Sequence, residues 1–295
     1  MEKFILLEDD LLLAPDFYSY MQQTSEILHT DPSVLAVSAY SIFGAPHTAR
    51  DLTRLNRVTS LPACGWMVTR DFLQEILPMW PPAYVSTAWD YWFWTDMVRQ
   101  GRDIIVPEVP RTAHAGRYGT HTSGLAAMMR DARKPISTDP LARVDISGVQ
   151  KEAYEKGLLE ELSQAVFIDL ENPLNLPHRL SRLQNGTAAV VGVQMSDIQD
   201  AEAFKILAQV LGVWHKDNRD HHLGLWRLPY HGVILFIIGV PYSSYSKYMK
   251  HTDQILEPRP DLKLRLEAEE ARSDVVTFQA HTYEDYKSIM DLNVA

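Results

Sequence analysis

Short apolar runs alternate with amphipathic stretches along the chain, and Gly, Pro, Asn or Asp mark most of the boundaries between them. Apolar runs that predict strands or buried segments lie at 4–7, 34–40, 64–69, 104–106, 187–195, 223–228 and 233–240. Helical periodicity with plausible caps lies at 17–28, 71–77, 87–100, 147–165 and 196–210. The last two strands are close enough to form one hairpin. This order predicts an α/β protein whose second half runs helix, strand, helix, strand, strand.

Composition and charge narrow the class of protein. The 295 residues are 46% hydrophobic and 22% charged, which is enough for a packed core and excludes a disordered chain. The length fits two domains or one large one. A net charge of −10 argues against a nucleic-acid partner and is compatible with a site that collects cations. We expect no membrane-spanning segment and no signal peptide in the sequence.

Three adjacent carboxylates follow the first apolar run, at Glu8, Asp9 and Asp10. Adjacent carboxylates repel one another, so a fold that keeps them together between two apolar segments favours a positive partner. Hard divalent cations such as Mg²⁺ or Mn²⁺ accept one or two carboxylates together with phosphate oxygens. The alternative is a solvated acidic helix N-terminus, where carboxylates favour the helix dipole.

A tryptophan-rich stretch surrounds Asp90, with Trp89 before it and Trp92 just after it. Aromatic rings stack on the apolar faces of sugars, and they partly desolvate a neighbouring carboxylate, which raises its pKa toward that of a general base. The alternative is a core helix in which Asp90 is a cap or a hydrogen-bonded acid.

Three further stretches contain candidate chemistry. Residues 111–121 combine glycines with Arg117, His121 and other positive donors, which suits a loop that closes over a diphosphate, or else an ordinary surface loop. The His- and Asp-rich stretch 215–222 lacks helical metal-ligand spacing and is predicted as a charged turn. The single cysteine, Cys64, excludes an internal disulfide; with no evident His partner, it is predicted to be a small buried residue.

As a set, these motifs resemble the β-1,2-N-acetylglucosaminyltransferases that act on α-mannose, the N-acetylglucosaminyltransferase I type. The resemblance runs from about residue 4 to residue 258. It rests on motifs whose order and spacing agree, among them Leu7-Glu8-Asp9-Asp10-Leu11, Ala14-Pro15-Asp16-Phe17, Gly65-Trp66, Trp80-Pro81, Trp89-Asp90-Tyr91-Trp92 and Arg111-Thr112. In the second half, residues 213–228 and 240–246 are more similar to the branch that acts on protein O-linked mannose.

The resemblance implies an inverting glycosyltransferase of GT-A type, with a Rossmann-like mixed sheet. It implies UDP-GlcNAc as donor, a mannosylated glycoprotein as acceptor, Mn²⁺ as cofactor with Mg²⁺ as the alternative, and a Golgi-lumen location. It assigns metal binding to Asp10 and the catalytic base to Asp90. The donor-binding candidates are Glu8, Asp9, Gly65, Trp66, Trp89, Arg117 and His121. The acceptor-binding candidates are Trp92, Arg219, His222, Trp226 and Arg227.

Departures from the family pattern shape the expected organisation. The paired family cysteines fall at Ala36 and Ile104, so both ends of that bridge are replaced. Only seven residues precede the acidic triplet, so we expect the uridine-binding half of the GT-A domain to be absent from this chain. We predict the metal-binding and catalytic half over 1–135, a small α+β acceptor-side part over 136–258 and a charged tail over 259–295. A non-catalytic module that binds glycan or protein, and a metal-dependent hydrolase, are the competing functions.

Overall fold

A computed structural model describes residues 2–81, 92–93, 95–114, 134–249 and 254–268. The strands are β1 (Lys3–Leu6), β2 (Leu11–Leu13), β3 (Val34–Ser38), β4 (Leu55–Val58), β5 (Trp66–Thr69), β6 (Asp103–Pro107), β7 (Thr112–His114), β8 (Val166–Phe167), β9 (Ala188–Met195), β10 (Leu225–Tyr230) and β11 (Val233–Pro241). The α-helices are α1 (Phe17–Thr24), α2 (Ile27–Thr30), α3 (Arg70–Ile76), α4 (Asp96–Arg99), α5 (Ile146–Val149), α6 (Lys151–Ser163), α7 (Leu176–Leu180) and α8 (Glu202–Val210). The predicted α/β class is confirmed.

The first sheet is mixed and has the strand order β1-β5-β3-β6-β4. Strands β3 and β6 are parallel, and every other pair in this sheet is antiparallel. All five residues of β3 are buried, which agrees with a continuous apolar run in a sheet covered on both faces. Strand β1 lies at one edge, paired with β5 from Lys3 opposite Thr69 to Leu6 opposite Trp66. The acidic triplet therefore leaves the sheet at that edge.

The second sheet has the order β10-β11-β9-β8 and confirms the predicted hairpin. Strands β10 and β11 are antiparallel, and a two-residue turn joins them at His231 and Gly232, both with positive φ. Two left-handed residues suit the twist of a tight hairpin, and the glycine accepts that conformation without a steric cost. Helix α8 packs on this sheet, where the ring of Phe204 stacks on Trp226 with 4.0 Å between centroids.

One apolar cluster joins the two sheets. It contains Val37 of β3 and Ile105 of β6 together with Phe236 and Ile238 of β11. The two parts of the chain therefore share buried surface. Residues 260–268 are helical, and Leu262 and Leu266 are buried against the second sheet's own cluster. The start of the predicted tail is thus packed against the protein.

A two-stranded ribbon of β2 and β7 positions the candidate site. Leu11 lies opposite His114 in this antiparallel pair, and Leu13 lies opposite Thr112. The pairing brings the chain just after the acidic triplet beside the chain that enters the predicted diphosphate loop. Residues 8–10 lie between β1 and β2, so they are not the acidic helix N-terminus considered as the alternative.

Several local predictions are corrected by the structure. The helix predicted over 17–28 is divided into α1 and α2, and the one over 147–165 into α5 and α6. The spacing of Ser147 and Gln150 predicts Ser147 as a helix cap, but the cap of α5 is Asp145, whose side chain accepts from the N–H of Gly148. The spacing of Ser196 and Gln199 predicts a capping box at the start of the next helix, and this prediction is wrong, because Ser196 donates to Asp200 and α8 begins only at Glu202. Among the described residues, no helix has the length and apolar character to span a bilayer.

Candidate functional site

The Glu8 carboxylate is held by the backbone of a tight turn. Its two oxygens accept hydrogen bonds from the N–H groups of Cys64, at 3.2 Å, and Gly65, at 2.9 Å. Ala63, Cys64 and Gly65 have φ values of 52°, 57° and 86°, three consecutive residues in the left-handed region. Such a turn aims successive N–H groups at one anion. Both carboxylate oxygens of Glu8 therefore accept hydrogen bonds from the protein's own backbone. Its role in binding the UDP-GlcNAc donor stays a prediction.

The turn at Gly65 is closely surrounded by other side chains. A Cβ atom there would lie 3.1 Å from Thr112 Cγ2 and 3.3 Å from a methyl group of Leu7. The next residue, Trp66, is buried and packs edge-to-face against Phe93 at 5.3 Å. Trp66 thus supports the turn from inside the core, and its contact with a donor stays a prediction.

The other two acids of the triplet face outward. Asp9 is exposed, and the Asp10 side chain is 38% exposed. Asp10 Oδ2 lies 3.4 Å from Nδ1 of His114 on β7. The other imidazole nitrogen, Nε2, lies 3.0 Å from Cys64 Sγ. The expectation that Cys64 has no His partner is therefore wrong, because β2–β7 pairing brings His114 across from a distant part of the sequence.

His114 is the functional candidate that sequence reasoning missed. The sequence placed it within a loop predicted to bind a diphosphate, where it was one of several positive donors. No spacing rule relates position 114 to positions 10 and 64. Only the strand pairing of Leu11 with His114 reveals the contact.

A buried ion pair anchors the approach to His114. Arg111 Nε donates to Asp16 Oδ2 at 2.9 Å, and its two terminal nitrogens donate to the carbonyls of Val109 and Leu52. The side chains of Asp16 and Arg111 are almost completely buried. Asp16 stands at the N-cap position of α1, but its side chain makes no hydrogen bond to the helix and pairs with Arg111 instead.

The carboxylate oxygens of the triplet fit a hard divalent cation whose remaining ligands come from the substrate. Asp9 and Asp10 offer carboxylate oxygens at an exposed turn. Across the residues that the structure describes, no three His, Cys, Asp or Glu side chains are grouped to enclose a metal ion. A site with one or two carboxylates is typical of cations that also bind substrate phosphates. Asp10 is the better placed acid, because His114 contacts its carboxylate.

An aromatic row leads away from the turn at Gly65. Phe93, fully buried, contacts Trp66 on one side and Trp92 on the other, and Trp92 packs at 5.2 Å against the half-exposed Trp80. Trp92 is partly exposed, as an acceptor-binding residue requires. Four predicted site residues lie outside the described residues and stay predictions: Trp89, Asp90, Arg117 and His121.

The other acceptor-binding candidates lie mainly inside the second sheet. Trp226 is fully buried, and His222 Nε2 lies 2.7 Å from a carboxylate oxygen of Glu155. Arg227 donates to Glu161 at 2.7 Å, and Arg219 forms a bidentate pair with Asp217, from Nε to Oδ1 and from Nη2 to Oδ2. The cavity that His222 and Arg227 line has a volume of about 30 Å³, room for a water molecule and not for a sugar ring. Their contact with acceptor stays a prediction.

The stretch 215–222 lies between α8 and β10, as the prediction of a charged turn requires, and part of it is a buried polar link to residues that follow β3 and β4. Asp220 accepts from the N–H of Ile42 and from the Ser60 hydroxyl, and His221 Nδ1 lies 3.0 Å from Thr59 Oγ1. Burial raises the pKa of Asp220 to about 6 and lowers the pKa of His221 to about 3, because it disfavours the charged form of each group. Both groups serve the fold.

Comparison with known proteins places the chain in a family. It is 27% identical over 241 residues to an alpha-1,3-mannosyl-glycoprotein 2-beta-N-acetylglucosaminyltransferase of Arabidopsis thaliana, covering 80% of this chain and 49% of that protein. The chain thus spans about half the length of this relative. The family profile described as GNT-I matches residues 1–245, most of the 295-residue chain. On this match, the chain belongs to the GNT-I family.

Proposed function

We propose that this chain forms the metal-binding and catalytic half of an inverting glycosyltransferase of GT-A type. The reaction transfers N-acetylglucosamine from UDP-GlcNAc to the 2-hydroxyl of an α-mannose, in β-1,2 linkage. The observation that carries the proposal is the Glu8 clamp. By accepting from the N–H groups of Cys64 and Gly65, Glu8 anchors the segment between β1 and β2, from which Asp9 and Asp10 project.

Asp10 would hold the divalent cation, Mn²⁺ with Mg²⁺ as the alternative, and Asp9 would contact the donor. When bound, the cation neutralises the negative charge that develops on the diphosphate leaving group. The protein's part is to keep the Asp10 carboxylate oriented beside His114. The site is open to solvent at Asp9, so a donor can reach it without displacing a buried side chain.

Asp90 would act as the general base. It accepts the proton of the mannose 2-hydroxyl as that oxygen forms a bond to the anomeric carbon of the donor sugar. The bond from the anomeric carbon to the diphosphate oxygen breaks on the opposite face, and UDP leaves. Attack opposite the leaving group converts the α-linked donor into a β-linked product.

The acceptor is proposed to be mannose on a glycoprotein, in the Golgi lumen. Residues 213–228 and 240–246 favour an O-mannosyl acceptor by resemblance. The Arabidopsis relative is instead an enzyme named for an alpha-1,3-mannosyl glycoprotein acceptor. An O-mannosyl peptide and a mannose-terminated N-glycan are therefore the two substrates to compare.

The test is a titration of UDP-GlcNAc with and without Mn²⁺, followed by a transfer assay with both acceptors. We expect Mn²⁺-dependent donor binding in a parent protein that includes a uridine-binding half, and loss of that binding in its Asp10→Ala variant. Glu160→Ala is the control, because this carboxylate is exposed on α6 away from the triplet. Unchanged Mn²⁺ dependence in Asp10→Ala would contradict the assignment.

The proposed base is tested separately. Asp90→Asn is expected to abolish transfer and to leave Mn²⁺-dependent donor binding intact, because the amide cannot accept the proton. Retained transfer would exclude Asp90 as the base. Binding of mannosyl glycans without any transfer, in a protein that includes a uridine-binding half, would favour the non-catalytic binding module instead.

A further inference from the structure

We propose that His114 is a positioning residue for Asp10, and that the Cys64 thiol holds its imidazole in the Nδ1–H tautomer. The inference rests on the proposed function of Asp10 as a metal ligand. It concerns three side chains that come from three separate stretches of sequence: the acidic triplet, the turn before β5 and the end of β7.

The imidazole lies between a thiol and a carboxylate and faces one with each ring nitrogen. Nε2 lies 3.0 Å from Cys64 Sγ, and Nδ1 lies 3.4 Å from Asp10 Oδ2. A neutral imidazole has one donor nitrogen and one acceptor nitrogen, whereas a carboxylate only accepts. If the thiol donates its proton to Nε2, the ring proton is on Nδ1, the nitrogen that lies nearer to Asp10 Oδ2. Both contacts are then satisfied by a single tautomer.

The surroundings keep this arrangement in place. The backbone N–H of Cys64 is bound to Glu8, and its carbonyl accepts from the Thr112 hydroxyl at 2.6 Å. His114 is fixed by its β-pairing with Leu11 and by an edge-to-face contact with Tyr40 at 6.1 Å. The thiol and the imidazole are thus both attached to backbone that is itself hydrogen-bonded.

This arrangement has a direct consequence for a cation at Asp10. A donor that occupies one carboxylate oxygen restricts the rotation of the carboxylate and leaves the other oxygen available. Groups that orient a ligating side chain in this way change metal affinity by about 10- to 100-fold when they are removed. His114 is therefore expected to act through Asp10 and not as a ligand itself, because Nε2 faces Cys64 and Nδ1 faces the carboxylate.

The first measurement is the tautomer of His114, from the ¹⁵N chemical shifts of its ring nitrogens in the metal-free chain near neutral pH. We expect protonated Nδ1 and unprotonated Nε2. Cys64→Ala should lower the Nδ1–H population, and Cys64→Ser should preserve it because the hydroxyl still donates. An Nε2–H tautomer, or a ring protonated at both nitrogens, would overturn the proposal.

The second measurement uses amides that replace one ring nitrogen each. His114→Asn places an amide donor near the Nδ1 position and can still bind Asp10, whereas His114→Gln places it near Nε2. We measure the Mn²⁺ dissociation constant by Mn²⁺ spectroscopy with UDP present. It should rise about 10- to 100-fold in His114→Gln and His114→Ala, and it should stay within about threefold of the parent value in His114→Asn. Equal values for Asn and Gln would overturn the proposal.

Asp10→Ala separates this inference from the proposed function. If Asp10→Ala leaves Mn²⁺ affinity unchanged, the proposed metal ligand is wrong, and the tautomer measurement still decides whether Cys64 and Asp10 set the state of His114. If Asp10→Ala abolishes Mn²⁺ binding and no His114 variant alters it, only the positioning role is wrong. The Asn and Gln variants answer the question even if His114→Ala fails to fold.

Discussion

Glu8 and Gly65 lie 57 positions apart in the sequence, yet the Glu8 carboxylate accepts the Gly65 N–H at 2.9 Å. The contact joins the end of β1 to the turn that enters β5, the strand beside it. The Glu8 side chain therefore ties the end of β1 to the turn before β5, and it also positions the segment that carries Asp9 and Asp10. Stability and site geometry depend on the same hydrogen bonds.

Glu8→Gln is expected to lower the free energy of unfolding by about 1–3 kcal/mol, because the amide has one acceptor oxygen for two N–H donors. Urea unfolding measures the effect. Asp9→Asn on the neighbouring exposed acid is the control and should change stability by no more than about 0.5 kcal/mol. Equal small losses in both variants would show that the clamp does not stabilise the turn.

Gly65→Ala is expected to destabilise the chain more than the same change at Gly186. Both glycines have nearly the same φ, 86° and 84°, but only Gly65 has atoms within 4 Å of an added Cβ. The two variants share the backbone strain, so their difference measures the contacts with Thr112 and Leu7. Thermal unfolding of both variants should show the larger loss at Gly65, and identical losses would contradict the crowding.

Arg57→Ala is expected to cost about 3–5 kcal/mol, because it leaves two buried carboxylates without their partner. Arg57 is completely buried and donates to Asp103 at 2.9 Å and to Asp31 at 2.8 Å. Arg102→Ala is the matched control, since Arg102 also pairs with a carboxylate, Glu75, but near the surface. That loss should stay below about 1 kcal/mol by urea unfolding, and comparable losses would contradict the prediction.

The parent chain and the Asp220→Asn variant should differ in how their free energy of unfolding depends on pH. The pKa of Asp220 is raised to about 6 in the folded chain, so its stabilising contribution is complete below about 3.8 and is lost as pH rises through 6. The pKa of His221 is lowered to about 3 from 6.5, so the unfolded chain binds a proton that the folded chain does not, and stability falls on acidification below about 6.5.

The two slopes have opposite signs and nearly cancel between about pH 4 and 6. Removing Asp220 exposes the His221 slope, so Asp220→Asn should lose stability on acidification more steeply than the parent, by up to about 1.4 kcal/mol per pH unit. Urea unfolding at a series of pH values tests this. Asp220→Asn can retain both hydrogen bonds, to Ile42 and to Ser60, as the amide has an acceptor and a donor. Parallel pH profiles would refute the pKa of Asp220.

Local pattern was enough to predict most of the regular elements. The apolar runs before residue 8 and at 187–195 and 233–240 gave β1, β9 and β11 with ends shifted by a residue or so. Helix continuity was harder, because Ser25 and Glu26 separate α1 from α2 and Gln150 separates α5 from α6 without a proline or glycine break at those positions. Which residue caps a helix, such as Asp145 for α5, depends on backbone angles that the spacing of residues in the sequence does not determine.

The sequence by itself determined the α/β class, the position of the acidic triplet after the first strand and the motif set that resembles the family, because each depends on residues close together in the chain. The tertiary structure decided which distant residues meet. It commits Glu8 to Cys64 and Gly65, joins Asp10 to Cys64 through His114, and buries Trp226 in the second sheet. These contacts follow from strand pairing and packing, whose energies depend on separations that no local pattern encodes.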